Sequence, residues 1–275
     1  MARKVWMVTG ASRGFGAEIS KAVLNSGDML VATARNPKAI EFRGYRENLL
    51  PVALDVTDDA QAKQAVAAAV AQFGRIDVLV NNAGFGLLGA VEESSTAEVE
   101  RVYRTNVFGL LNVTRAVLPI MRKQGAGHVI NFSSLGGYAA SAGWGVYCST
   151  KFAVEGLTEA LHDELAPLGI HATVVEPGFF RTDFLDSSSL ISTQARISDY
   201  AATVGKMREF AGRHNHQQPG NPEKLALALL LLANAAEPPV RLPLGTDTLK
   251  RIAEKNALVE KETARWRALA ASTDF

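Results

Sequence analysis

The stretch "VWMVTGASRGFGAEI", Val5 to Ile19, decides how the chain is read. Its first six residues form a short apolar run that breaks into glycine, which reads as a strand entering a turn. The turn carries glycines at 10, 14 and 16, and "AEISKAVLNSG" after it reads as a helix stopped by Gly27. A chain needs such a turn where it must reverse tightly, let its backbone approach a phosphate closely and present free amides at a helix start. The spacing G-x-x-x-G-x-G departs from the G-x-G-x-x-G dinucleotide fingerprint. The context, strand before and helix after, is nevertheless the one a phosphate loop requires.

Outward from that turn the alternation repeats. "MLVATAR" and "LLPVALDV" read as strands, "DDAQAKQAVAAAVAQFG" as a helix ended by Gly74, and "IDVLVNNAG" as a fourth strand. One long helix is expected from about Thr96 to Gln124, then strand "GHVINFSS", a helix from about Gly145 to Leu168, and strand "IHATVVEPG". Short β-rich runs separated by helices need crossover connections, hence a parallel sheet covered on both faces. The expected fold is a single α/β domain, a Rossmann-like doubly wound sheet of about seven strands, with ligands at the strands' carboxyl ends. Within 1–275, residues 1–178 would form the cofactor-binding and catalytic core. Residues 179–221, without clear period, would form a substrate lid. Residues 222–275 add the helix "NPEKLALALLLLANA", a last strand "VRLPLG" and a long charged helix.

Composition narrows the class without naming a function. The 275 residues are 47% hydrophobic and 21% charged, with net charge +1, so no strong field points to nucleic acid or a membrane surface. The single cysteine, Cys148, excludes an intrachain disulfide. "MARKVWMVTG" lacks a signal-peptide apolar run, and "LALALLLLA" is too short to span a bilayer and reads as a buried helix. A cytoplasmic enzyme or binding protein is the expectation.

The end of the second strand bears on cofactor choice. An NAD site commonly places an acid there for the ribose hydroxyls. This chain has "TARNP", with Ala34 at that place followed by Arg35, while Arg13 lies in the glycine turn. Two guanidiniums without a carboxylate suit a 2′-phosphate, so NADP(H) is the expected cofactor.

In "YCSTK", Tyr147 and Lys151 stand four residues apart and share one face of a helix. Together with "TGASRGFG" and with "NNAG" at Asn81 to Gly84, this pair resembles the short-chain dehydrogenase/reductase family, over about Lys4 to Asp183. That family has a Rossmann-like fold and moves hydride between a nicotinamide cofactor and a carbonyl or alcohol. The resemblance implies Tyr147 as general acid, Lys151 as its electrostatic partner and Ser134 as the hydroxyl orienting the substrate carbonyl. Ser133 is the alternative, set aside because the interval from Ser134 to the tyrosine matches the family's. Asn106, in "RTNVFG", would complete the tetrad through a water path to Lys151.

The resemblance also implies a cofactor site of Gly10, Ser12, Arg13, Gly14, Phe15, Gly16 and Arg35. Asp55 and Val56 would lie at the adenine, Asn82, Ala83 and Gly84 along the cofactor backbone, and Tyr147 and Lys151 at its reactive end. Pro177, Gly178 and Phe180 would flank the nicotinamide, with Thr182 near its carboxamide. Reducing a ketone requires a proton for the developing oxyanion, and an ammonium beside a phenol is expected to lower its pKa from about 10 toward the operating pH.

Substrate contacts are expected from Ser134, Tyr147, Tyr138, Trp144, Phe179 and Phe184, with Leu87 or Leu88 as further candidates. Cys148 reads as a small buried thiol. "HNH" at 214 to 216 reads as a solvated loop, and no metal site is expected. Trp266 and the charges of the last helix read as amphipathic packing with a solvated face. The long tail is similar to the branch holding 17β-hydroxysteroid and retinol dehydrogenase relatives and many bacterial members, which implies a hydrophobic ketone or secondary alcohol. A homodimer or homotetramer is expected, a dimer forming through helices around 100–124 and 145–168. The competing readings are an alcohol or hydroxysteroid dehydrogenase working oxidatively and, from another class, a non-catalytic NADP(H)-sensing protein.

Overall fold

The computed structural model describes residues 3–42, 44, 45 and 47–275; of the expected single domain over 1–275, Met1, Ala2, Arg43 and Arg46 lie outside the described residues. In chain order the elements are β1 (Val5–Thr9), α1 (Gly14–Asn25), β2 (Met29–Ala34), β3 (Leu49–Ala53), α2 (Asp59–Phe73), β4 (Val78–Asn81) and β5 (Gly86–Leu88). Then come α3 (Thr96–Tyr103), α4 (Leu110–Gln124), β6 (Gly127–Phe132), α5 (Leu135–Tyr138), α6 (Gly145–Leu165) and β7 (Ile170–Pro177). The chain ends with β8 (Leu190–Ser192), α7 (Lys206–Arg213), α8 (Pro222–Ala233), β9 (Arg241–Leu244) and α9 (Thr246–Ala271).

Seven strands form one parallel sheet in the order β3-β2-β1-β4-β6-β7-β9. The order reverses between β1 and β4, so the chain diverges there and opens a crevice at the carboxyl ends. The apolar run of β1 follows from its burial on both faces. Trp6 and Val8 face a layer containing Ile19 and Val23 of α1 and Leu225 and Leu229 of α8. Val5 and Met7 face the opposite layer, with Val66 of α2 and Val113, Val117 and Met121 of α4. Each such side chain contributes roughly 1.5–3 kcal/mol by leaving water, so a polar residue at any of these four positions would work against the sheet. Local chemistry sets element ends: the Asp58 carboxylate accepts from the amides of Ala60 and Gln61 to start α2, and Gly74 stops it at φ +78°.

Four expectations are corrected. The long helix over 96–124 is broken by a π-turn at Arg104–Gly109, which separates α3 from α4 and holds Asn106. The aperiodic segment 179–221 contributes β8, which pairs in parallel with β5 as a second small sheet, and α7. The leucine-rich α8 buries one face only: Leu225, Leu229 and Leu232 are in the core, while Leu227 and Leu231 are 57% and 76% exposed. Trp266 does not pack against the domain; it is 57% exposed, and α9 is exposed from Asn256 onward. No helix among the described residues is long and apolar enough to cross a membrane.

Candidate active site

A crevice of about 770 Å³ spans the carboxyl ends of β2, β1, β4, β6 and β7, lined there by Ala34, Gly10, Asn82, Phe132 and Pro177. One wall is the glycine turn. Thr9, the last residue of β1, accepts at Oγ1 from the amides of Asn82 and Ala83, both at 3.0 Å, and donates to the Val80 carbonyl at 3.3 Å. Asn82 returns its Nδ2 to the carbonyls of Thr9 at 2.8 Å and Gly10 at 3.3 Å. The "NNAG" stretch thus braces the turn from the next strand, a role for Thr9 that the motif reading missed. Gly14 takes φ +54°, and a Cβ on Gly16 would stand 2.1 Å from the Gly10 carbonyl oxygen, so the turn closes this tightly only without side chains. Gly16 therefore lies beneath the crevice rather than in its lining, while Gly10, Ser12, Arg13, Gly14 and Phe15 line it.

At the outer end stand Arg35, Asp55 and Val56. The Asp55 carboxylate caps its own turn, accepting from the amide and hydroxyl of Thr57 at 3.0 and 2.8 Å. Arg13 reaches across the mouth and donates from Nη2 to the Ser188 carbonyl at 2.7 Å. Asn82, Ala83 and Gly84 form the floor, with Pro177, Gly178, Phe180 and Thr182 opposite. Phe15 packs between Phe132 and Phe180, ring centroids 5.6 and 5.4 Å away. A narrow glycine cradle at a helix start, beside a floor that a Cβ on Gly84 would crowd to 3.1 Å from Asn106 Oδ1, is the shape a dinucleotide pyrophosphate and ribose fit.

The inner end is built by α6, whose 3.6-residue period puts Tyr147 and Lys151 on one buried face. Both line the crevice with Ser134. Lys151 Nζ donates to the Phe132 carbonyl at 2.8 Å and sits 5.8 Å from the Tyr147 ring centroid. Ser134 caps α5, accepting from the Gly136 amide at 3.1 Å, and lines the crevice beside Tyr147. Ser133 points elsewhere and donates to the Lys151 carbonyl at 3.4 Å. Asn106 is absent from the lining. Its amide clamps Phe85, accepting from the backbone amide at 3.1 Å and donating to the carbonyl at 2.9 Å, and also donates to Thr150 at 3.1 Å. The π-turn that displaces it from a regular helix aims it there.

The expected lowering of the phenol's pKa is not what this structure holds. Burial pushes Tyr147 well above the usual phenol range, the Ser134 hydrogen bond lowers it only in part, and Cys148 raises it further. Burial likewise brings Lys151 down to about 8, with Glu155 pulling the other way. One ammonium donor goes to Phe132 rather than to the phenol, and burial favours the protonated phenol.

The wall beyond Tyr147 is aromatic. Trp144 and Phe184 lie 5.7 and 5.6 Å from the Tyr147 ring, centroid to centroid, and Phe179, Leu185 and Met207 complete it. Tyr138 does not join them. Its hydroxyl donates to Asn256 of α9 and Arg241 covers its ring at 5.5 Å, because the single turn of α5 directs it away from the crevice. Leu87 and Leu88 are buried under the wall rather than lining it. Arg101, Arg104, Thr105 and Gln218 line the crevice and were missed, since neither period nor motif marks them. Cys148 is a buried thiol, raised by burial. His216 is not alone in a solvated loop: its Nε2 lies 3.3 Å from Asp186, with Asp183 alongside, a cluster open to solvent that a separation of 30 residues hid.

Comparison with known proteins agrees with this geometry. A family model described as short chain dehydrogenase matches residues 4–190. The oxidoreductase BOA17 of Botryotinia fuckeliana is 39% identical over 269 residues, 97% of each chain. A 3-ketodihydrosphingosine reductase of Bacteroides thetaiotaomicron is 36% identical over 249 residues, 89% of each. The crystal structure of a short-chain dehydrogenase from Streptomyces avermitilis is 39% identical, covers 100% of both chains and superposes with a TM-score of 0.93. More distant solved chains carry either cofactor. ElxO binds NADP (29% identity, 90% of this chain and 100% of that one, TM-score 0.74). A Burkholderia phymatum protein binds NAD (25% identity, 94% and 95%, TM-score 0.82).

Proposed function

The chain belongs to the short-chain dehydrogenase family and is an oxidoreductase, and on that premise we propose that it is an NADPH-dependent reductase of hydrophobic ketones. The observation that carries this reading is the buried Tyr147, lining the crevice with Ser134 and with the Lys151 ammonium 5.8 Å from its ring centroid. Bound NADPH supplies the hydride, and every other demand falls on the chain. Gly10, Ser12, Gly14 and Phe15 would hold the pyrophosphate side, Asp55 and Val56 the adenine, and Asn82 to Gly84 the floor. Pro177, Gly178, Phe180 and Thr182 would hold the nicotinamide end. Ala34 stands where an acid would select NAD, and the exposed Arg35 after it, with Arg13, favours a 2′-phosphate.

Tyr147, held protonated by burial, donates its proton to the carbonyl oxygen as charge develops there, while Ser134 hydrogen-bonds the same oxygen. Lys151 supplies the positive charge that stabilises the phenolate left behind. Asn106 acts one step back, fixing Phe85 and Thr150 behind the pair. Trp144, Phe179 and Phe184 favour an apolar substrate body, and the Bacteroides relative is named a 3-ketodihydrosphingosine reductase. Segment 179–221 is the substrate lid in this reading.

The test follows NADPH absorbance against ketones from small keto esters to steroids and aromatic ketones, in parallel with NADH. Tyr147→Phe should keep cofactor affinity and lose on the order of 10²-fold or more in kcat. Arg35→Asp should weaken NADPH far more than NADH. Normal turnover by the tyrosine variant would refute the proton donor, and equal losses for both cofactors would refute the NADPH assignment.

A further inference from the structure

One turn beyond Lys151 on α6 lies Glu155, only 3% exposed, and beside it Glu176 of β7 is 1% exposed. Both carboxylates bond the same nitrogen of Arg241 on β9, Glu176 Oε1 at 2.7 Å and Glu155 Oε2 in a close ion pair. The remaining guanidinium nitrogens go to the solvent-facing Glu159, at 2.8 and 3.2 Å. One cation therefore faces two buried acids and a third at the surface. Glu155 Oε1 is buried with no hydrogen-bond partner among the described residues, next to Gly137, where a Cβ would come within 2.8 Å of it. Two ionised carboxylates packed this closely around one guanidinium leave a net buried negative charge, which a proton removes at far lower cost.

The cluster connects directly to the proposed proton machinery. The Ser133 hydroxyl bonds the Lys151 carbonyl at 3.4 Å and crowds the same Gly137 Cβ position as Glu155 Oε1, at 2.1 and 2.8 Å, and the preceding carbonyl, Phe132, receives Lys151 Nζ at 2.8 Å. We propose that Glu155 and Glu176 share one proton above Arg241, and that Glu155 is a positioning residue that holds Ser133 and the charged Lys151 in place and sets the alkaline limit of the reaction. This rests on the reading in which Tyr147 and Lys151 carry the proton work.

The charged and titratable groups facing Glu155 are Lys151 and Glu159 on its own helix, Glu176 on β7 and Arg241 on β9, with Tyr138 of α5 beneath the guanidinium. Burial pushes Glu155 well above the usual carboxylate range, with Glu176 raising it and Ser133 and Arg241 opposing. Burial brings Lys151 down to about 8, so the shifts of the two groups run toward one another. As the acid pair loses its shared proton, the added negative charge retains the proton on Lys151.

The experiment compares pH profiles of kcat for wild type, Glu155→Gln and Glu176→Gln, using NADPH and 9,10-phenanthrenequinone. Glu155→Gln removes the charge that holds the ammonium, so its alkaline limb should move down by about one pH unit. Glu176→Gln leaves Glu155 ionised against Arg241, so its limb should stay at the wild-type position or above. Equal shifts in the two variants, or no shift in Glu155→Gln, would overturn the proposal. Infrared spectroscopy of the cofactor-free protein gives a readout independent of turnover. At pH 7 the wild type should show the carbonyl stretch of a buried protonated carboxylic acid, and both variants should lack it. A wild type without that band would also overturn the shared proton. Full activity of Tyr147→Phe would instead defeat the functional reading and leave the infrared result standing.

Discussion

Thr9 and Glu93 each capture two backbone amides, Thr9 beneath the glycine turn and Glu93 behind the wall that segment 179–221 supplies. Thr9 takes those of Asn82 and Ala83 at 3.0 Å, and Glu93 takes those of Ala90 at 2.8 Å and Ile197 at 2.9 Å. Thr9 is neutral and ties β1 to its sheet neighbour β4, elements already held by a ladder of hydrogen bonds. Glu93 is a buried charge that reaches 104 residues along the chain to Ile197 and 115 to Arg208, its ion-pair partner. Arg208 also donates to Thr193 at 3.1 Å, and Tyr200 adds a bond to the neighbouring Glu92 at 2.5 Å. The glycine-turn wall is thus an extension of the core. The wall from segment 179–221 hangs on the short β5–β8 ladder and a few side chains, with one buried ion pair holding its far part.

The largest expected effect breaks that ion pair. Glu93→Ala leaves the Arg208 guanidinium without its carboxylate, a loss of about 3–5 kcal/mol for a buried pair. The damage should stay local, since few other bonds carry it to the sheet. Hydrogen exchange should therefore accelerate over residues 190–213 and not in β1 or β4, with KM for the ketone rising and NADPH affinity unchanged. Uniform loss of protection across the sheet would erase the distinction between the walls. Hydrogen bonding from Arg208 holds Glu93 down at about 2, so the stability the pair contributes is fully present above the ordinary carboxylate range and is lost progressively as pH falls from there toward about 2.

Gly16→Ala probes the other wall. Its Cβ would sit 2.1 Å from a backbone oxygen, so the turn must shift, at about 1–3 kcal/mol. Here melting temperature and NADPH affinity should fall together, read by thermal denaturation and cofactor fluorescence, with exchange in 190–213 unaltered. A variant with native affinity would show that the cradle tolerates a side chain.

The smallest effect comes from His128, on β6 among the buried polar residues and remote from both walls. Thr173 donates to the Pro239 carbonyl at 2.7 Å, so the His128 Nε2–H donates to Thr173 at 2.9 Å. Burial first, then the charges of His171 and Lys4, lower its pKa to about 3. The unfolded chain binds the extra proton between about 3 and 6.5, so this group's contribution grows with rising pH across that window and is lost as pH falls through it. His128→Asn should cost about 1 kcal/mol at pH 7, one buried hydrogen bond, and flatten the loss of stability below pH 6.5. An unchanged slope in pH-dependent melting would exclude the imidazole as its source.

Legibility divides along the same line as the walls. The glycine turn, the doubly wound order of strands and the helix bearing Tyr147 and Lys151 all rest on patterns that repeat within one element. The π-turn at Arg104–Gly109 did not announce itself, because "RTNVFG" carries no glycine or proline inside the helix run until its last residue. Tyr138 was misplaced because one residue in a single helical turn decides which way its ring points.

Sequence alone determined the parallel sheet and the glycine turn, because burial on both faces, helical period and glycine stereochemistry act over a few neighbouring residues, and its motifs carried the resemblance to the family. Only the tertiary structure decided that Glu155 meets Glu176 and Arg241, that Glu93 meets Arg208, and that burial rather than the nearby ammonium governs the Tyr147 phenol. Desolvation and ion pairing depend on which distant segments the crossovers bring together, and no local pattern encodes that.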